Sequence, residues 1–230
     1  MEDFTIILGE IIAKMDLTII VNSQIGNKIF VCKTLYLNTQ KTVTDSQGNK
    51  YKVSNWLNNN WIELTPIGAA PNPFNDTLIN CPPPTYLHGT PSSTNDEFSQ
   101  IEVRMGAKTP LIWLYENYRE KKYGKGSSLE REISPRIFFL DQANSPKWTT
   151  EEHHRQAVQP MANLADLLAE TIGKDRRFKS IENIEIVPRP RFGVFVDDRG
   201  NDRKILDSDL SGVEMQPTLE KYKVYGCECN

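Results

Sequence analysis

Apolar positions in FTIILGEIIAK (residues 4–14) fall at Phe4, Ile7, Leu8, Ile11 and Ile12, steps of three and four that predict an amphipathic helix. The rhythm then changes. The runs LTIIV (17–21), KIFVCKTLYL (28–37), YKVSNWL (51–57) and WIELTPI (61–67) are rich in Ile, Val, Tyr and Trp, and turn residues such as DSQGN (45–49) and NNN (58–60) separate most of them. Short strands joined by tight turns predict a small barrel or sandwich, closing around Trp56 and Trp61.

The second half mixes both periods. PLIWLYENYREKKYG (110–124) reads as a strand running into a helix or as a helix throughout, and RIFFLD (136–141) as a buried strand. In TTEEHHRQAVQPMANLADLLAETIGKD, Thr149 and Glu152 stand in capping-box register. Val158, Met161, Ala165, Leu168 and Ile172 then repeat at helical spacing, Pro160 suits the start of the main helix, and Gly173 and Lys174 suit its end. IENIEIVPRPRFGVFVD, KILDSDLSGVEM and TLEKYKVYGC alternate again, with antiparallel hairpins expected and the prolines of PRPRFG (188–193) suited to an edge strand or bulge. The fold class expected is α+β. A small β-rich module with one helix (1–66) precedes a mixed α/β domain (100–230) in which a helix packs on an antiparallel or mixed sheet.

Between these modules the pattern breaks. Seven of the fourteen prolines lie from Pro66 to Pro91, and no Lys or Arg occurs from Val53 to Val103. Proline fixes φ and removes backbone donors, so residues 67–99 are expected to form an extended arm or linker. Its apolar residues, Phe74, Leu78, Ile79 and Tyr86, have no place in a purely entropic linker, so they are expected to anchor the arm on another module or subunit.

Composition narrows the partners. A net charge of -3 and 38% hydrophobic residues fit a folded chain without a whole-protein footprint for nucleic acid or anionic membrane. No apolar run reaches the roughly 20 residues of a membrane span. The acidic start and the interruptions at Glu10, Lys14 and Asp16 do not suit a targeting segment, and four cysteines suit a reducing cytoplasm. From Arg104 to Arg136, eight Lys/Arg face four Glu, so Arg119, Lys121, Lys122 and Lys125 form a candidate basic contact loop. The acidic window of residues 53–103 would be its complement on a neighbouring copy.

Catalytic chemistry finds no support in the motifs. His153 and His154 are adjacent, so on a helix they point about 100° apart and cannot share one ion; the expectation is a solvated first turn. Cys227 and Cys229 supply half of a zinc site at most. YGKGSS (123–128) lacks the order of a phosphate loop, and DDRGND (197–202) lacks the ligand pattern of a calcium loop, so both read as turns. No catalytic residue, metal or cofactor is assigned.

TPLIWLYEN followed by IFFLDQAN, the helix HHRQAVQPMANLADLLAETI, PRPRFGVF and the closing DLSGVEMQPTLEKYKVYGC together resemble a tailed-bacteriophage virion protein of the head-to-tail connector, neck or tail-terminator kind. The resemblance spans residues 104–230; the first 65 residues have no counterpart in that outline. It implies a non-enzymatic subunit that forms a ring with copies of itself, beside portal, neck or tail proteins. It also implies incidental contact with packaged DNA, no membrane, and a place in the virion assembled in the host cytoplasm. Two other readings remain open from the residues: a cytoplasmic enzyme with a site between its modules, and a nucleic-acid-associated module acting through Lys121, Lys122 and Lys125.

Overall fold

The structure is a computed structural model that describes residues 3–39, 41–57, 60–101, 108–123, 130–143, 147–196, 202–206 and 208–221. It has the expected α+β character, a closed barrel beside a helix-covered mixed sheet. Helix α1 (Phe4–Ile12) begins where the Asp3 carboxylate accepts the Thr5 N–H at 2.9 Å. Strands β1 (Thr18–Ile25), β2 (Lys28–Val31), β3 (Thr42–Asp45), β4 (Lys50–Leu57), β5 (Trp61–Pro66) and β6 (Leu78–Asn80) close in the order β1-β2-β5-β4-β3-β6. Inward positions alternate, so Ile19, Ile29, Val31, Val43, Tyr51, Val53, Ile62 and Leu64 fill the interior. Trp61 is not among them: it stands half-buried on the outer wall against Phe30, and the side chain of Trp56 lies outside the described residues.

The proline-rich segment is not an extended arm. Its β6 pairs with both β1 and β3, through Ile19↔Ile79 and Asp45↔Ile79, and so completes the barrel. Phe74 is fully buried with its ring edge-on to Tyr51, 5.0 Å between centroids, and its N–H donates to the Asn27 side chain at 2.8 Å. The same segment then supplies β7 (Thr85–Gly89) to the second sheet and helix α2 (Pro91–Gln100), capped by Thr90. The anchors meet partners in their own chain: Ile79 is buried, Leu78 half-buried in the ladder, and the Tyr86 hydroxyl donates to the Thr5 carbonyl at 2.9 Å. Strands of three and five residues are too short to announce themselves by alternation, which is why the sequence reads as linker.

The second sheet has the order β10-β13-β9-β8-β7. Residues 111–123 are strand throughout, β8 (Leu111–Tyr123), parallel to β7 and antiparallel to β9 (Glu130–Gln142). Beyond β9 come β13 (Leu210–Lys221) and the edge strand β10 (Phe178–Phe192), while β11 (Val194–Val196) and β12 (Asp202–Lys204) form a separate pair. Pro188 and Pro190 do occupy an edge, where a missing N–H leaves no gap in a central ladder. Gly212 permits the close approach of β13 to β9, since a Cβ there would lie 1.9 Å from the Phe139 carbonyl oxygen.

Helix α3 (Thr150–His153) opens with the complete capping box, Thr149 N–H to Glu152 at 2.7 Å and Glu152 N–H to Thr149 at 3.3 Å. A π-helical turn (His154–Val158) joins it to α4 (Gln159–Lys174), where Pro160 lies in the first turn. Val158, Met161, Ala165, Leu168 and Ile172 are all buried against the face of the sheet formed by Ile137, Phe139, Val213 and Met215. That core continues without a break through α1 into the barrel. On the opposite face, Phe98 of α2 joins Leu111, Trp113, Phe138, Leu140 and Leu210.

Because Phe74 belongs to the barrel interior, Phe74→Ala is expected to cost about 3–5 kcal/mol. A thermal melt of the isolated subunit checks this; a docking arm would leave the melting temperature unchanged.

Candidate interaction surfaces

The seam between barrel and sheet is built from five side chains. Asn38 and Lys41, in the loop between β2 and β3, meet Asp141 near the end of β9; all three are buried. The Lys41 ammonium donates to one carboxylate oxygen at 2.7 Å and the Asn38 amide to the other at 2.8 Å. The second amide hydrogen of Asn38 reaches the carbonyl of Gln156 at 2.8 Å, while the Gln156 side chain accepts from the Thr39 hydroxyl at 3.1 Å. In an α-helix that carbonyl would take the N–H of residue 160, but Pro160 has none to give. These residues escape sequence reasoning. The available signals are a lone carboxylate ending the apolar run IFFLD and a proline inside a helical pattern.

His153 corrects an expectation. It is buried, not part of a solvated turn, whereas His154 beside it is exposed. Its Nδ1 shares a hydrogen bond with the Ser211 hydroxyl at 2.8 Å, and that oxygen accepts the Arg191 N–H at 2.9 Å. The Trp148 ring lies edge-on at 5.4 Å. Burial, and then the nearby Arg191 guanidinium, push the imidazole below its ordinary pKa. A serine and a histidine in contact invite thoughts of a nucleophile, but Ser211 has no exposed surface. Among the described residues no three His, Cys, Asp or Glu side chains converge as a metal set. Cys227 and Cys229 lie outside the described residues.

The basic loop resolves into a ribbon. Arg119, Lys121 and Lys122 sit on the outer half of β8, exposed, while Lys125 lies outside the described residues. Cross-strand neighbours neutralise part of the charge: Lys121 pairs with Glu132 at 2.9 Å and Arg131 with Glu120 at 3.1 Å. Arg119 and Lys122 have no ion-pair partner among the described residues. Further in, Glu214 is fully buried between Arg136 at 2.6 Å and Arg189 at 2.6 Å. Burial alone would raise its carboxyl pKa; the hydrogen bonds from Arg136 and Arg189 outweigh that and hold it below the usual carboxylate range.

An open cleft of about 400 Å³ lies between α4 and the barrel, where Lys33 and Lys174 both bind Glu170. Among the described residues the carboxylates of the acidic window lie on different elements. Asp76 is tied to Ser46, Glu63 lies on the barrel wall, and Asp96 and Glu97 stand on α2. No protein family, no curated protein and no solved structure matches the chain.

Lys41→Met leaves Asp141 buried without its counter-charge and is expected to cost about 3–5 kcal/mol, whereas Lys41→Met with Asp141→Leu recovers much of the loss. Urea unfolding of the two variants checks the difference. A second expectation concerns pH. The His153 pKa is lowered in the folded state, so the unfolded chain takes up that proton first, and stability declines as pH falls through the ordinary histidine value of 6.5. Glu214, with its lowered pKa, holds its contribution until more acidic pH. Melting temperatures followed from about pH 7.5 to about pH 5.5 should therefore fall less steeply for His153→Gln than for the parent chain.

Proposed function

We propose that this chain is a non-enzymatic structural subunit of a tailed-phage virion that assembles with copies of itself into a neck or tail ring joining head to tail. The observation that carries this reading is the exposed edge formed by the outer half of β8. β8 is buried from Leu111 to Leu114, then exposed or half-exposed from Tyr115 to Tyr123, because β7 pairs with it only as far as Tyr115 and the rest of the strand is, among the described residues, an edge of the sheet. Rings close through heterologous contacts, in which one surface of a subunit seats on a different surface of its neighbour. An exposed, charged edge strand suits that role, and it takes the place of the arm expected at residues 67–99, whose anchors are occupied within their own chain. Partner portal, neck or tail proteins and a place in the virion belong to the same proposal, as does the absence of catalysis. The helix-on-sheet layer, the edge prolines and the long closing strand β13 agree with the resemblance of residues 104–230 to connector and terminator proteins.

The mass of the full chain in solution tests the ring, measured by light scattering alone and with neck or tail proteins. A closed oligomer of one size is expected. Arg119→Glu with Lys122→Glu, both on exposed positions, should reduce the assembly to subunits without lowering the melting temperature. A chain that stays monomeric under every condition, or that assembles normally with both arginine and lysine reversed, overturns the reading.

A further inference from the structure

Three lysines without an ion-pair partner among the described residues share the outer wall of the barrel. Alternation along β2 and β4 sends Ile29, Val31, Tyr51 and Val53 inward, and therefore Lys28, Phe30, Lys50 and Lys52 outward. The pairings Lys28↔Glu63, Phe30↔Trp61 and Lys52↔Thr65 place these residues around the outer face of β5. Lys28 and Lys52 thus flank that strand on its two sides. All three lysines are exposed, and none has an ion-pair partner among the described residues. Glu63, half-buried beside Lys28, is the outward carboxylate on these strands. Phe30 and Trp61 form a half-exposed pair with centroids 5.6 Å apart and planes tilted by 49°. In a chain of net charge -3, this is a local reversal of sign with aromatic rings set into it.

We propose that the outward face of β2, β5, β4 and β3 binds single-stranded nucleic acid. Backbone phosphates would take the ammonium groups of Lys28, Lys52 and Lys50, and a base would stack on the Trp61 and Phe30 rings. Every base has a π-face, so stacking with lysine contacts needs no particular sequence. A duplex hides those faces within its own stack, which is why the ligand is a single strand. An acidic protein surface would use the lysines but leave the aromatic pair idle. The proposal goes beyond the ring and does not depend on it: the face lies on the barrel, away from the β8–β9 ribbon.

The test is fluorescence anisotropy with a labelled oligothymidine of about 16 nucleotides, set beside an abasic oligomer of equal length and charge. The full chain should bind the oligothymidine more tightly than the abasic strand. Lys28→Gln with Lys52→Gln should lower the slope of log affinity against log salt by about 1.4, at roughly 0.7 per phosphate contact on a single strand. Trp61→Leu should bring the oligothymidine close to the abasic level; Phe30→Leu, in a smaller side chain of the same pair, should do so in part if Trp61→Leu fails to fold. Absence of binding at low salt overturns the proposal, as does an unchanged salt slope in the lysine variant. Equal affinity for the two strands overturns it too, and would mark the face as a site for an acidic protein partner.

Discussion

One backbone carbonyl, whose α-helical donor position is taken by proline, ties the two halves of this protein together. Pro160 cannot donate to Gln156, and an unpaired carbonyl in the interior would be costly. Asn38 supplies the missing donor from the barrel loop, and its amide is held in place by Asp141, which also binds Lys41. Each polar group at the seam is answered by another. Barrel loop, central strand and helix are therefore fixed in one relative position by hydrogen bonds, where an apolar contact alone would allow sliding. The π-helical turn just before Pro160 belongs to the same local departure from α geometry.

From that fixed seam the remaining architecture follows. The core passes from the barrel through α1 to the inner face of the sheet, so the chain between β5 and β8 has to cross from one half to the other. It does so with structure along the way, closing the barrel with β6, adding β7 to the sheet edge and laying α2 over the opposite face. Prolines fit this route. They stiffen the short extended connections, and Pro91 starts α2 where its missing N–H costs nothing.

Charge is distributed in keeping with these layers. On the sheet Lys121 and Arg131 meet carboxylates across the strands, and Glu214 is enclosed by two arginines. On the barrel Lys28, Lys50 and Lys52 have no such partner among the described residues. The sheet ribbon therefore offers a contact surface of nearly balanced charge, whereas the barrel wall offers a local positive field.

Much of this was legible in one dimension. The stripe from Val158 to Ile172 declares α4, the Thr149–Glu152 box its start, and alternation in residues 17–67 the strands of a small barrel, because helical and extended backbones impose periods that side chains must follow. The edge position of Pro188 and Pro190 follows from their missing donors in the same way. Three matters were settled only by the tertiary structure. PLIWLYENYREKKYG carries a strand buried in its first half and exposed at the sheet edge in its second, whose mixed pattern no single period describes. Phe74 and Ile79 turn inward because the barrel has an opening that only they are placed to fill. His153 is buried and His154 exposed because the helix sets them on different sides, one toward Ser211 and the other toward water. Sequence determines which residues seek burial or a partner; which partner each finds depends on segments a hundred residues apart, such as Asn38 and Asp141, and is decided only when the layers close.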